Sequence, residues 1–292
     1  MKNIIFLLVL CVLFLLFFLW EMKQLTVREY TLSFSALPEA FDGCRIVHLS
    51  DLHGNRFGKN QERLLIEIEK QKPDYIMITG DMVTDCYDSS VGRILELLEE
   101  LCKKYSVYYE PGNHEMRALT EGEEGIRSYG EFKEAVMKTG VHYLENEQMS
   151  LIRGSKKIIV YGLALERIYF GKLWRYIVPP QEHLEELLGK LDKDCFTLLL
   201  AHHPDYFPVY EKWGADLVLS GHIHGGIAKL PYLGGVLSPT MRLFPKYDGG
   251  VYQGEKESVK MVLSRGLGSH TIPLRPFNPP ELVVITLHKK EE

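Results

Sequence analysis

The chain has 292 residues, of which 46% are hydrophobic and 25% charged, and its formal net charge is -5. This length allows one large domain or two small ones with a substantial core, and the composition excludes an intrinsically disordered chain. An acidic chain without a basic stretch gives no sign of a nucleic-acid surface, so we expect no nucleic-acid partner.

The first strong signal is an uncharged apolar segment at residues 4–20, IIFLLVLCVLFLLFFLW. As a helix it would be about 25 Å long, the short end of a membrane span. No small residues follow it at which a signal peptidase could cut, and Lys2, Trp20 and Lys23 lie where interfacial anchors are found. We therefore predict an uncleaved membrane anchor over residues 1–23, with a cleaved signal peptide as the alternative. The positive N-terminus favours a cell-membrane protein whose remaining chain lies outside the cytoplasm.

Residues 24–42 contain the alternating stretch TVREYTLSF, which predicts a stalk or an edge strand. The main domain is predicted over residues 43–292. Five short apolar runs follow, and each ends in a polar cluster: RIVHLS before DLHGN, YIMIT before GDMVTD, SVYYE before PGNHE, FTLLLA before HHPD, and DLVLS before GHIHGG. Such short runs are typical of buried strands.

Helical periodicity separates these runs, at residues 60–71, 91–105, 130–138 and 180–191. Strands that alternate with helices predict an α/β domain. The last third is strand-like with few helices, which favours a second sheet over a single doubly wound sheet. Five cysteines without a CxxC pair argue against a zinc–thiolate site, so we expect free or buried thiols.

The polar clusters lie at the carboxyl ends of the predicted strands, where open α/β sheets bind their ligands. Together they supply carboxylates, imidazoles and one amide: Asp51, His53, Asp81, Asn113, His114, His202, His222 and His224. Nitrogen and oxygen ligands without a thiolate suit Mn, Fe or Zn rather than Ca. Eight groups exceed the needs of one ion and fit two ions that share a bridging carboxylate. Each cluster alone could be an ordinary turn, so the prediction depends on all five occurring in order.

The motifs D-x-H, G-D, G-N-H-E, the H before HPD, and G-H-x-H resemble those of the calcineurin-like metallophosphoesterases, from Arg45 to His224. The tail SRGLGSHTIPLRPFNPPELVVITL looks like the membrane-associated bacterial branch of that family. This branch includes phosphodiesterases and a hydrolase of the UDP-diacylglucosamine pyrophosphate bond. The resemblance implies an α/β fold in which two mixed β-sheets pack as a sandwich flanked by helices.

The resemblance also implies two divalent ions, with Mn favoured over Fe and Zn, and a role for each ligand: Asp51, His53 and His224 on the first ion, Asn113, His202 and His222 on the second, and Asp81 bridging both. A hydroxide that bridges the ions would attack phosphorus without a covalent intermediate. His114 would lie beside the phosphate without binding metal, and would stabilise charge or protonate the leaving oxygen.

Several neighbouring residues have two open roles. Asp85 and Glu115 could orient the ligands or be merely solvated. Arg265 and Arg275 could bind a substrate anion or form structural ion pairs. His48, within a predicted strand, is expected in the core.

The predicted activity is hydrolysis of a phosphodiester or pyrophosphate bond, with a lipid-linked or cell-envelope substrate as the hypothesis that follows from the anchor. The aromatic and basic segment at residues 166–180 could be a flap or membrane-facing loop, or a loop packed on the sheet. The alternatives are a phosphomonoesterase, a protein phosphatase, or a non-catalytic membrane-tethered scaffold of the same fold. The scaffold is disfavoured because all seven ligand positions and His114 retain competent residue types. The sequence does not determine the oligomeric state.

Overall fold

The computed structural model describes residues 2–21, 23–171, 177–192, 194–226, 228–230, 232–269 and 275–291. Within these ranges the helices are α1 (Lys2–Glu21), α2 (Glu62–Gln71), α3 (Val91–Cys102), α4 (Asn113–Arg117), α5 (Gly122–Lys138), α6 (Gln181–Leu188) and α7 (Phe207–Trp213). The strands are β1 (Thr26–Phe34), β2 (Cys44–Leu49), β3 (Tyr75–Thr79), β4 (Ser106–Glu110), β5 (His142–Tyr143), β6 (Glu147–Arg153), β7 (Lys156–Gly162), β8 (Thr197–Leu200), β9 (Leu217–Ser220), β10 (Lys229–Leu230), β11 (Gly234–Gly235), β12 (Gly250–Gln253), β13 (Lys260–Leu263) and β14 (Glu281–Lys289).

The strands form two large mixed sheets, as predicted. The first has the order β1-β14-β2-β3-β4-β5, and the second has the order β12-β13-β9-β8-β7-β6. Strands β2 to β5 run parallel, whereas β14 is antiparallel to β2. In the second sheet, β13, β9, β8 and β7 are parallel, and β12 and β6 are antiparallel edge strands. The short strands β10 and β11 form a separate pair.

The two sheets pack face to face, with helices on both outer sides. Successive side chains of a strand point to opposite faces, so Ile46 of β2 lies between the sheets and Val47 lies under the helices. Helices α2, α3 and α5 cover the first sheet, and α6 and α7 cover the second. All five cysteines are free thiols, as predicted, and Cys44 and Cys86 are buried within the apolar layers.

The prediction that the last third forms the second sheet is partly wrong. Strand β14 lies inside the first sheet, between β1 and β2, whereas β6 to β9 come from the middle of the chain. Val283 and Ile285 face the second sheet, while Leu282 and Val284 lie under the helices. A strand that is apolar on both faces is stable only in the interior of a sheet. Strand β1 is the edge strand beside it.

Helix α5 begins earlier than predicted, at Gly122 rather than residue 130. Its buried side is formed by Gly125, Tyr129, Phe132 and Val136, so the apolar stripe continues upstream of the predicted start.

Helix α1 includes the apolar segment at residues 4–20, and most of its large side chains are exposed. At its end, Phe17 and Phe18 contact the ring of Phe277, and the Glu21 carboxylate accepts a 2.9 Å hydrogen bond from the Phe277 amide. Among the described residues, no helix combines the length and the apolar character that crossing a membrane requires. The predicted transmembrane helix is therefore not confirmed.

Candidate metal centre

The loops that follow β2, β3, β4, β8 and β9 meet at one edge of the sandwich. These strands come from both sheets, so the carboxyl ends of the two sheets border the same site. The loops carry all eight side chains singled out from the sequence, and all but Asn113 are buried. Three overlapping groups of these side chains could hold a cation: Asp51, His53 and His224; Asp81, His202 and His222; and His53, Asp81 and His114.

The first group combines one carboxylate with two imidazoles. His224 Nε2 lies 3.2 Å from Asp51 Oδ1 and 3.3 Å from His53 Nε2. His53 Nε2 lies 4.0 Å from Asp51 Oδ1. Nitrogen and oxygen atoms that converge in this way fit a divalent cation, which binds imidazole and carboxylate at about 2.0–2.2 Å in zinc sites.

The second group lies on the other side of Asp81. His202 Nε2 is 3.1 Å from Asp81 Oδ2, and the rings of His202 and His222 are 5.2 Å apart. Among the described residues, His222 Nε2 and Asn113 Oδ1 are buried without a hydrogen-bond partner. Because buried polar atoms almost always have a partner, these two atoms fit the binding of a cation.

Asp81 lies between the two groups. Its Oδ1 accepts a 2.8 Å hydrogen bond from the His114 amide. Its Oδ2 faces both groups, since it lies 3.8 Å from His53 Nε2 as well as 3.1 Å from His202 Nε2. This is the position that a bridging carboxylate needs. The assignment of individual ligands stays a prediction.

Backbone carbonyl groups orient two of the imidazoles. His202 Nδ1 lies 2.7 Å from the Thr79 carbonyl, and His224 Nδ1 lies 3.2 Å from the Gly268 carbonyl. With Nδ1–H as donor, each ring presents Nε2 as its ligand atom. Burial lowers the pKa of His222, and neighbouring His203 and His202 lower it further. Burial also lowers the pKa of His224, against the raising effect of Asp51. Both rings therefore favour the neutral form, which is the form that binds metal.

The Asp81 carboxylate is held in its ionised form. Burial alone would raise the pKa of Asp81, but His202, His114 and His53 together lower it well below its usual range. An ionised carboxylate is the form that coordinates a cation.

The backbone is strained where the ligand atoms converge. Five candidate ligands have left-handed conformations: Asp51 (φ 53°), His53 (46°), Asp81 (53°), His222 (73°) and His224 (52°). Such conformations cost about 1–3 kcal/mol each in non-glycine residues and concentrate at functional sites. Alternate residues of an extended segment would also face the same side, but the segment that carries His222 and His224 is not extended. Strand β9 ends at Ser220, and a left-handed turn brings both rings inward.

Two glycines allow the loops to pack this closely. A Cβ atom at Gly112 would overlap Asp81 Oδ1, and one at Gly221 would overlap the Ser50 hydroxyl and Asp51 Oδ2. The next amide, that of His222, donates 3.1 Å hydrogen bonds to both carboxylate oxygens of Asp51. The close approach of the two loops therefore leaves no space for a side chain at either glycine.

Glu115 connects two of the site loops and does not contact solvent. Its carboxylate accepts five hydrogen bonds, from the amides of Asp81 (2.9 Å), Met82 (2.8 Å), Val83 (3.4 Å) and Gly112 (3.1 Å) and from the Tyr109 hydroxyl (2.8 Å). Of the two roles left open by the sequence, the structure favours orientation of the ligands.

We expect Glu115→Gln to weaken metal binding about 10–100-fold, as outer partners of metal ligands commonly do. It should also lower the free energy of unfolding by about 2 kcal/mol, because an amide presents an NH2 group to buried donors. Competition with a chelator and thermal unfolding measure the two effects. Glu131→Gln, in an exposed position on α5, is the matched control. A loss of stability with unchanged metal affinity would limit Glu115 to a structural role.

A pocket of about 260 Å³ opens above Asp81. Its lining includes Asn113, His114, Arg117, Arg167, Phe170, His222, His224, Pro239 and Thr240. His114 Nδ1 lies 2.9 Å from the Thr84 carbonyl, which can only accept, so Nδ1 carries the donated hydrogen.

The sequence did not identify Arg117 or Arg167 as site residues. Arg117 lies three residues after His114 on α4, so helical spacing could have indicated it. Arg167 lies in a short 3-10 turn, Arg167–Phe170, that carries no motif. Asp85 forms an ion pair with Arg117, which gives Asp85 a partner outside the ligand groups.

Arg265 and Arg275, whose roles the sequence left open, make structural contacts. Arg265 Nε pairs with Glu281 Oε2 at 2.6 Å. Arg275 Nη1 donates to the carbonyls of Gly266 (3.0 Å) and Gly268 (2.8 Å), and burial lowers the pKa of Arg275 to about 10. The Gly268 carbonyl also contacts His224 Nδ1, so Arg275 helps to position His224 through this carbonyl.

Two further histidines lie beside the candidate ligands. His48 is in the core, as predicted, where its Nε2 lies 2.7 Å from the Thr79 hydroxyl and burial lowers its pKa to about 3. His203 Nδ1 accepts a hydrogen bond from the Asp205 amide at 3.3 Å. Burial lowers the pKa of His203 to about 3 as well. Neither residue belongs to the three groups of potential ligands found among the described residues.

Part of the aromatic segment forms a wall of the site. The ring of Phe170 lies 5.2 Å from that of His203 and 5.4 Å from that of His222. The Tyr206 hydroxyl donates to the Tyr169 carbonyl and, at 2.8 Å, lies beside the Ile177 carbonyl. These contacts favour a packed loop for residues 166–171, while residues 172–176 lie outside the described residues.

Two mixed sheets with a buried Asp, His and Asn centre at their carboxyl ends define a candidate two-metal hydrolase. The sequence model of the calcineurin-like phosphoesterases matches residues 44–226, and the chain belongs to that family. The predicted family is thus confirmed, whereas the predicted branch is not.

Relatives of the chain come from several bacteria and from animals. It is 30% identical over 273 residues to uncharacterized metallophosphoesterase YkuE of Bacillus subtilis (strain 168), covering 91% of this chain and 87% of that protein. It is 27% identical over 247 residues to phosphodiesterase YaeI of Escherichia coli (strain K12), covering 83% and 82%. A Danio rerio transmembrane protein with a metallophosphoesterase domain is 27% identical, covering 86% and 54%. Among solved structures, the phosphopantetheinyl hydrolase of Mycobacterium tuberculosis aligns with a TM-score of 0.47 at 14% identity, covering 76% and 89%.

Proposed function

We propose that this protein hydrolyses a phosphodiester or pyrophosphate bond with two divalent metal ions, with Mn favoured over Fe and Zn. The observation that carries the proposal is the position of Asp81 Oδ2, which faces two separate groups of buried ligand atoms. Membership of the phosphoesterase family supports it, and so does the similarity to a protein named a phosphodiesterase. The domain responsible is residues 43–292.

When bound, the two ions would polarise the phosphoryl group and provide a hydroxide at neutral pH. Around them, Asp51, His53 and His224 would hold one ion, and His202, His222 and Asn113 the other. His114 would stabilise charge or donate a proton from Nε2 to the leaving oxygen, since the Thr84 carbonyl holds Nδ1.

Two arginine side chains border the pocket and would bind the phosphate oxygens that do not react. Arg117 and Arg167 both line it. Arg117 is already paired with Asp85 and Glu121, whereas Arg167 donates a 2.7 Å hydrogen bond to the neutral Thr120 hydroxyl. A guanidinium binds phosphate oxygens through two parallel hydrogen bonds. The charge of Arg167 is therefore less neutralised by neighbouring carboxylates than that of Arg117, and Arg167 is the better placed of the two to bind the substrate phosphate.

The pocket volume of about 260 Å³ suits a phosphate group with its immediate substituents rather than a whole lipid. We propose a lipid-linked or cell-envelope substrate whose remaining part extends out of the pocket. Helix α1 supports membrane association, because its large apolar side chains are exposed. Attachment to the cell membrane through residues 4–20, with an extracytoplasmic catalytic domain, belongs to the same proposal.

The test uses the full-length chain purified in detergent. We expect about two metal ions per chain and metal-dependent hydrolysis of bis-p-nitrophenyl phosphate, abolished by a chelator and restored by Mn²⁺. Faster hydrolysis of p-nitrophenyl phosphate or of a phosphopeptide would favour a phosphomonoesterase or a protein phosphatase. If the protein bound no metal and showed no turnover with Mn²⁺, Fe²⁺ or Zn²⁺, the hydrolase proposal would be contradicted. The non-catalytic scaffold would then be the remaining alternative.

A further inference from the structure

One segment outside the metal centre exposes an unusual number of apolar side chains. Residues 228–230 and 232–244, which we call the apolar meander, form three extended stretches side by side. The Val236 amide donates to the Ala228 carbonyl (2.9 Å), and the Phe244 amide donates to the Val236 carbonyl (3.0 Å). The exposed apolar side chains of the meander are Leu230, Tyr232, Leu233, Met241, Leu243 and Phe244.

This exposure needs a partner. Leu243 is 68% exposed and lies in the outermost stretch, where it pairs with Leu237 of the neighbouring stretch. Single exposed apolar residues are common, but a contiguous group marks an interaction surface. An uncovered edge that carries apolar side chains can otherwise pair with other chains.

The meander is continuous with helix α1 through Phe277. The Phe277 ring lies 5.5 Å from that of Phe18 on α1. Phe277 also lines a cavity of about 760 Å³ together with Leu230 and Tyr232. The Lys229 amide also donates to the Pro276 carbonyl at 3.0 Å. The apolar side chains of α1 and of the meander therefore form one surface.

The chemistry of this surface fits lipid better than protein. A protein partner would cover one face of a helix, but over residues 4–17 the large apolar side chains of α1 are exposed on every face. Exposed Lys23, Arg28 and Lys246 lie beside the apolar side chains in sequence, and Arg28 lines the same cavity as Tyr232. Cations around an apolar, aromatic surface match the anionic headgroups above a hydrocarbon layer.

We propose that the apolar meander inserts into the surface of a phospholipid bilayer that contains anionic lipids. Two residues of the meander itself, Pro239 and Thr240, line the pocket of the metal centre. Insertion would therefore place the mouth of the pocket at the membrane surface, where the phosphoryl group of a lipid is exposed. The contact with lipid goes beyond hydrolysis and needs no turnover to be observed.

The experiment adds one tryptophan to the full-length chain, which is reconstituted into vesicles of phosphatidylethanolamine and phosphatidylglycerol with brominated acyl chains. Leu243→Trp reports on the meander. Ile152→Trp is the matched control, because Ile152 is 69% exposed on β6, at the opposite edge of the second sheet from β12. The native Trp20, Trp174 and Trp213 contribute the same background to both variants.

We expect the bromine atoms to quench about half or more of the fluorescence added at position 243 and almost none of that added at position 152. Equal quenching at the two positions, or none at position 243, would overturn the proposal. A lack of quenching together with a dimer cross-linked through position 243 would instead assign the surface to a second copy of the chain.

A second variant separates this inference from the proposed hydrolase. With both Leu243→Asp and Phe244→Asp, hydrolysis of soluble bis-p-nitrophenyl phosphate should stay within about twofold, while hydrolysis of a phosphodiester carried by vesicle lipids should fall about tenfold. An equal rate on the vesicle substrate would count against insertion. Failure of the unaltered chain on the soluble diester would count against the hydrolase alone.

Discussion

Replacing Asp81 by asparagine is expected to remove metal and activity together. The amide oxygen can still accept the His114 amide, so the loop should keep its shape. The charge that faces both ligand groups is lost, however, and a neutral oxygen binds two cations poorly. We expect turnover of bis-p-nitrophenyl phosphate to fall by more than about a hundredfold, beyond the loss caused by an outer partner. Metal content per chain, measured by mass spectrometry of the element, should fall in parallel.

Asp194→Asn is the control for this prediction, because Asp194 is exposed and precedes β8, whereas the site loop follows that strand. Thermal unfolding without added metal should be similar for the two variants and the unaltered chain. Full metal content in the Asp81 variant would show that this carboxylate does not bridge the ions.

Replacing His114 by alanine should separate chemistry from metal binding. We expect turnover to fall about 10²–10⁴-fold, the range for loss of a positioned acid or base. Both metal ions should remain, because the groups Asp51–His53–His224 and Asp81–His202–His222 do not include His114. The measurements are turnover of the diester and metal content on the same preparation.

One result would contradict the assignment of His114 as a residue that does not bind metal. His114 also belongs to a group with His53 and Asp81, in which the potential ligand atoms lie within 4.8 Å of one another. Loss of one metal ion per chain in His114→Ala would make His114 a ligand and leave the acid unidentified. His288→Ala is the control, since His288 is more exposed and pairs with Asp42 at 2.9 Å.

The sequence predicted the parts of the site that depend on local patterns. Each strand that leads to the site is a short apolar run, and its polar cluster follows within a few residues, so strand and ligand candidates could be located together. The eight candidate residues do converge, although their conformations were not foreseen. A left-handed backbone at His222 depends on the close approach of Gly221 to Asp51, which no local pattern contains.

The features that the sequence did not predict depend on non-local strand pairing and on side-chain geometry. Nothing within the segment ELVVITLH distinguishes a strand of the second sheet from one inserted between β1 and β2. The five hydrogen bonds of Glu115 join residues whose proximity depends on the finished sheet. Arg167 reaches the pocket from a turn without a motif, so only the folded chain shows its position.

The insertion of β14 between β1 and β2 also determines the order in which the protein can assemble. Strand β1 pairs only with β14 among the described strands, and the pairs join residues 26–34 with residues 281–289. During synthesis the first sheet therefore stays incomplete until residues 281–289 have left the ribosome. Until then β2 presents an open edge that other polypeptides can join. The nascent chain is thus vulnerable to misassembly until β14 has emerged, and a chaperone that shields β2 would act during that interval.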